Sequence, residues 1–104
     1  MNNTVEKNYK YTIIARHRVK DLAAFKQAHQ QIDESVLKER GFVAINMNID
    51  INDPNVVVFY NQFNDLEKAK MVFEGQHTEA HLAMLEKMGV VLPIESVWLV
   101  ENVV

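Results

Sequence analysis

Cysteine is absent from the 104-residue chain, which excludes disulfides, thiolate metal sites and a cysteine nucleophile together. Glycine and proline are scarce, at three and two residues, so the few places where they occur (Gly41, Pro54, Gly75, Gly89, Pro93) are informative punctuation. No apolar run approaches the roughly 18 residues of a membrane span. Met1 to Lys10 also lacks the apolar stretch of a secretory leader. A cytoplasmic location is therefore expected. Basic residues are not in excess: 11 Lys and Arg stand against 14 Asp and Glu, a formal charge of −3. That leaves no electrostatic footprint for nucleic acid or an anionic membrane. A phosphate loop, a GxSxG elbow and a well-placed carboxylate pair are missing as well.

What is present suits one compact domain, with 48% hydrophobic and 24% charged residues, preceded by a flexible polar segment over residues 1–8. The expected domain spans residues 9–104. A chain this short buries a modest fraction of its surface, so pairing with a second copy adds stability. The chain also nearly repeats itself. Thr12 to Lys26 recurs as Val56 to Lys70, with Asp21/Asp65, Leu22/Leu66 and Lys26/Lys70 identical. Each copy reads as a strand, a polar turn and a helix.

Tyr9 to Arg18 has the β-branched and aromatic content of a first strand. Asp21 opens a helix whose face carries Leu22, Phe25, Ile32 and Val36, with His29 in the same register. Gly41 ends it as a left-handed residue. Phe42 to Ile51 then places Val43, Ile45, Met47, Ile49 and Ile51 on one side of a second strand. Asn52-Asp53-Pro54-Asn55 makes a turn. Strand three, Val56 to Phe63, begins apolar on both parities, so neither of its faces is freely hydrated there. Asp65 opens a second helix, with Leu66, Ala69 and Phe73 inward, broken near Gly75 and resumed from about Thr78 to Met88. After Gly89 and Pro93 the last strand, Ile94 to Val103, completes βαββαβ, an α+β order with helices on one face of a four-stranded antiparallel sheet.

That order, the strand–Asp-Leu–helix openings, Arg40-Gly41-Phe42, Asp53-Pro54-Asn55, the passage Phe59 to Leu66 and Met88-Gly89-Val90 carry a resemblance. The chain resembles the ferredoxin-like half of the dimeric α/β-barrel superfamily, and within it is similar to small antibiotic-biosynthesis-monooxygenase-like proteins. The resemblance implies a homodimer in which two sheets pack face to face, with a small-molecule cleft between helices and sheet in each subunit. It does not imply turnover, because fold and function are separable; the cofactor-independent monooxygenases of this superfamily act on phenolic polycycles that themselves activate oxygen, so no cofactor is expected. Tyr60, Asn61, His29 and Trp98 are the groups that match such a role. The haem-degrading arrangement of Asn, Trp and His is poorly matched, because Trp98 lies in the last strand.

Among individual residues, His29 sits on an apolar helical face, where it is either a hydrogen-bonded rim histidine or a cleft proton donor or acceptor. His77 and His81 are spaced i, i+4, the geometry of zinc helices, but no third ligand is brought near by sequence and no metal is expected. His81 adjoins Met84, Leu85 and Met88 on the buried side. Arg16 and His17 point to opposite faces; if Ile13 and Ala15 face the helices, so does His17. The catalytic candidates are His29, His81 and Asn61. The ligand-binding candidates are His17, Phe25, His29, Tyr60, Phe73, His81 and Trp98. Trp98 also suits packing or a dimer interface. Three functions remain open: a homodimeric binder of a small apolar or aromatic ligand, a cofactor-independent monooxygenase or isomerase acting on an aromatic or quinone-like compound, and an interaction module using the sheet face. A cleft filled by Phe25, Phe73 and Met84 speaks against catalysis. A cavity of about 300 Å³ or more exposing His29 or His81 favours an enzyme or binder.

Overall fold

The computed structural model describes residues 9–103, so the segment expected to be flexible, residues 1–8, lies outside the described residues. The elements run β1 (Tyr11–Val19), α1 (Leu22–Gln30), α2 (Glu34–Glu39), β2 (Phe42–Ile49), β3 (Val56–Phe63), α3 (Leu66–Glu74), a 3-10 turn (Gly75–His77), α4 (Glu79–Lys87) and β4 (Val90–Glu101). The strands form one antiparallel sheet in the order β2-β3-β1-β4. With both crossovers helical, this is the ferredoxin-like α+β architecture.

The helix openings follow from capping chemistry. Asp21 accepts from Ala23 N at 3.0 Å, Asp65 from Lys68 N at 3.2 Å and Thr78 from His81 N at 3.3 Å, each satisfying a backbone donor that a helix start leaves unpaired. The first helical segment departs from the single helix expected over Asp21 to Gly41. Asp33 takes an extended backbone and captures both Ser35 N at 2.9 Å and Ser35 Oγ at 2.8 Å. A side chain that offers the backbone an alternative partner competes with helix continuation, so the chain stops at Gln30 and restarts at Glu34. Gly41 lies at φ 99°, as the left-handed residue that ends α2, and a Cβ there would meet Lys68 Cβ at 2.8 Å.

Two strand expectations are corrected. In β2 the alternation breaks at a bulge between Phe42 and Ala44, so Phe42 joins the core with Ile45 and Met47 while Val43 is exposed and Ile51 lies beyond the strand in a turn. One extra residue reverses the parity of everything before it. In β4 pairing begins at Val90 rather than Ile94. The segment containing Pro93 arches out between the Val91–Arg18 and Ser96–Arg16 pairs, a place where a missing N–H costs no ladder bond.

Along β1, Ile13, Ala15, His17 and Val19 are buried beneath the helices. One core cluster packs Ala15, Val19, Val57, Phe59 and Val90 against Phe25 and Leu85; the other packs Ile13 and Phe63 against Ala69 and Val72. The alternate residues of β1 face away from the helices. There Arg16 bridges Asp50 at 3.2 Å and Glu95 at 2.9 Å, while Arg18 bridges Asp53 at 3.0 Å and Glu95 at 3.3 Å. Those carboxylates hold both guanidiniums above their ordinary range, and the turn amides of Asn52 and Asn55, helped by Arg16 and Arg18, keep Asp50 and Asp53 below theirs.

Candidate functional site

A cleft opens where α1, α2 and α4 lift from the sheet. Its inner chamber is lined by His17 and Ala15 of β1, Asn61 and Phe59 of β3, Phe25 and His29 of α1, and His81 and Leu85 of α4. The chamber measures about 100 Å³. An outer groove of about 490 Å³ adjoins it between the first two helices and β2, and His29, Ile32, Leu37, Phe42 and Ile45 border both spaces. The inner chamber falls short of the roughly 300 Å³ that would favour an enzyme or binder, because Phe25, Phe59, Met84 and Leu85 crowd its walls; of these two spaces only the outer groove, which His29 borders, exceeds that size.

Register explains why the polar groups meet. His17 pairs across β1 and β3 with Val57, and Asn61 pairs with Ile13, so both side chains share the helix-facing side of the sheet. Thr78 starts α4 so that His81 falls one turn in, half-buried over that surface. Phe59 lies at the centre of the aromatic wall, with ring centroids 5.2 Å from His29, 6.0 Å from Phe25 and 6.1 Å from His17.

Three buried atoms on this chamber have no hydrogen-bond partner among the described residues: His17 Nδ1, Asn61 Oδ1 and His81 Nε2. Leaving a buried polar atom unpaired costs about 1–3 kcal/mol, and these three come from separate elements around one space. Burial, reinforced by His81 and weakly opposed by Glu95, pushes His17 down from the ordinary 6.5 to about 4. Burial also lowers His29, and burial, Arg40 and His77 together lower His81. All three imidazoles are therefore neutral at pH 7, each offering one N–H and one lone pair. Among the described residues no Asp or Glu lines the inner chamber, whereas Arg40 does.

His17, Phe25, His29, Asn61 and His81 are thus brought together. Tyr60 and Trp98 are not: both pair with Ile14 across the sheet, on the face away from the helices, and are 41% and 63% exposed. Phe73 packs instead on the Ile13–Phe63 cluster. His77 is exposed at the surface. Among the described residues no three metal-ligating side chains come together, and no helix is long and apolar enough to cross a membrane. Sequence reasoning overlooked Arg40 and Gln76 as lining residues. Arg40 read only as part of a helix exit, and Gln76, whose Nε2 donates to Val72 O at 3.2 Å, lies in a turn without periodicity.

No protein-family model and no curated protein matches the chain. Solved structures do match in fold. A proposed antibiotic biosynthesis monooxygenase from Nitrosomonas europaea is 19% identical with a TM-score of 0.64, the match covering 90% of each chain. Another from Bordetella bronchiseptica is 13% identical with a TM-score of 0.68, covering 93% of this chain and 100% of that one. A third, from Chloroflexus aurantiacus, is 12% identical with a TM-score of 0.61, covering 89% and 92%. At these identities the likeness establishes a shared fold, which does not by itself carry an activity.

Proposed function

We propose that the chain is a homodimeric small-molecule-binding protein whose ligand enters the cleft between helices and sheet. The observation that carries this reading is the convergence of His17 Nδ1, Asn61 Oδ1 and His81 Nε2, unpartnered, on one mostly apolar chamber. A folded chain retains such atoms where water or a ligand satisfies them. Indole added to the isotope-labelled protein, lying in the outer groove with its edge at the chamber mouth, is expected to shift the NMR signals of His29, His81 and Asn61. Ala15→Leu, which puts three more carbons on the chamber wall, is expected to abolish those shifts while costing about 1–3 kcal/mol by overpacking. Unchanged binding in that variant places the ligand elsewhere.

A second reading, cofactor-independent oxygenation or isomerisation of an aromatic or quinone-like compound, is favoured by the neutral His81 imidazole beside the Arg40 cation. That pair suits proton removal from an acidic hydroxyl. Oxygen uptake or tautomerisation with catechols and hydroquinones that disappears in His81→Gln is the expected signature; a rate equal to the buffer alone rejects it.

The open sheet face is the proposed dimer surface, with Trp98 and Tyr60 exposed beside half-buried Ile14, Val58 and Val100. Large aromatics of this kind anchor interfaces. Light scattering at micromolar concentration is expected to give twice the chain mass, and Trp98→Asp to give the chain mass alone. A wild-type monomer contradicts the proposal.

A further inference from the structure

We infer that the inner chamber is built for the head of a small 2-hydroxycarboxylate, its carboxylate held by Arg40 and His81 and its hydroxyl by Asn61 and His17. The inference rests on the reading of the cleft as a ligand site. Its ground is the pattern of unmet hydrogen-bonding capacity. Asn61 Oδ1 accepts only, so the occupant must bring a donor. Arg40 donates only; exposed at the chamber's edge with its guanidinium carbon 5.6 Å from the Phe42 ring centroid, it forms no ion pair among the described residues, so it favours an occupant that brings an acceptor, preferably a charged one.

The two imidazoles bridge these demands. A neutral His81 donates from Nε2 to the carboxylate beside Arg40, and a neutral His17 donates from Nδ1 to the hydroxyl oxygen, whose own proton goes to Asn61 Oδ1. All three orphaned atoms and the free cation are then satisfied by one group of five non-hydrogen atoms. A chamber of about 100 Å³ corresponds to roughly three waters' share of liquid volume, which suits that head and little more. The rest of the molecule leaves past Ile32, Leu37, Phe42 and Ile45 into the outer groove, so an aliphatic or aryl substituent on carbon 2 is accommodated.

The same walls reject other heads. A 2-amino acid places an ammonium among three imidazoles and a guanidinium with no carboxylate in the chamber to balance it. An acid without the hydroxyl leaves Asn61 Oδ1 and His17 Nδ1 as they are, buried and unpaired, which is how sites that expect a hydroxyl discriminate against its absence.

The test compares 2-hydroxy-4-methylpentanoate, 4-methylpentanoate and leucine by calorimetric titration of the full chain at pH 7, with indole as a neutral probe of the cleft by NMR. The hydroxy acid is expected to bind at least tenfold more tightly than either relative. Arg40→Gln, a change at an exposed position, is expected to weaken it at least tenfold, and Asn61→Leu to erase the preference over 4-methylpentanoate. A preference below tenfold, or one that survives in Asn61→Leu, overturns the inference. Indole shifts at His29 and His81 with no acid binding overturn it while leaving the cleft a ligand site. No response to any probe overturns both.

Discussion

Acidification from pH 7 to pH 4 is expected to cost the folded state about 3 kcal/mol through His17 alone. The folded chain holds this imidazole near 4 against an ordinary 6.5, so the unfolded chain takes up its proton first. The stabilisation is complete above pH 6.5 and drains away as pH falls toward 4. His29 and His81, also lowered, act in the same direction. Asp33, Asp50 and Asp53 lie below the ordinary 3.8, so their contributions are lost mainly below that value and act in the same direction. Urea unfolding of the wild type and of His17→Leu at pH 7.5 and 4.0 checks it. The variant removes the proton site and an unpaired buried nitrogen, so its stability is expected to fall far less between the two pH values and to be about 1 kcal/mol higher at pH 7.5. Equal losses in both proteins would assign the acid sensitivity to other groups. At the proposed binding site, a nitrogen turned to the ligand would be lost for a gain in stability, the usual exchange where function and stability compete.

Phe25→Ala is expected to destabilise the protein by about 3–5 kcal/mol, a large share of the roughly 5–15 kcal/mol that holds a typical domain. Phe25 is 1% exposed, packs on Phe59 and His29, and is the only buried residue of α1. Its removal detaches that helix from the sheet while widening the inner chamber, since the ring is one of the chamber walls. Benzene is therefore expected to restore part of the lost stability in the variant and to stabilise the wild type less, as cavities opened by removing a buried apolar side chain take up such molecules. An unfolding free energy from urea titration within about 1 kcal/mol of wild type would mean that α1 is held by something other than this ring.

The internal echo made the fold legible. Asp21 and Asp65 stand at equivalent helix starts, each accepting backbone amides at the head of the helix it opens. The turn after β2 and the left-handed Gly41 were legible for the same reason, because backbone demands select Asp, Pro and Gly locally. What stayed hidden depends on competition between neighbours. A helical period runs smoothly through Ile32, and only the bonds from Ser35 to Asp33 reveal where the helix breaks. The bulge at Val43 is invisible to alternation, since the pattern continues on the wrong parity. Strand parity placed His17 and Ile13 on one face and, through register, Asn61 with them. Parity also separates Tyr60 and Trp98 from that group once the face is known. Arg40 was missed because its position in the cleft depends on how α2 ends, which follows from the break before it.

Both outer strands of the sheet carry an irregularity: the extra residue at Val43 on β2 and the arched segment around Pro93 on β4. Neither rim therefore offers a flat, continuous row of amides and carbonyls on which another chain can template itself. Self-association by strand addition, the route to open-ended aggregates, is obstructed at both borders, which leaves the broad surface carrying Tyr60 and Trp98 as the face on which the proposed dimer would close.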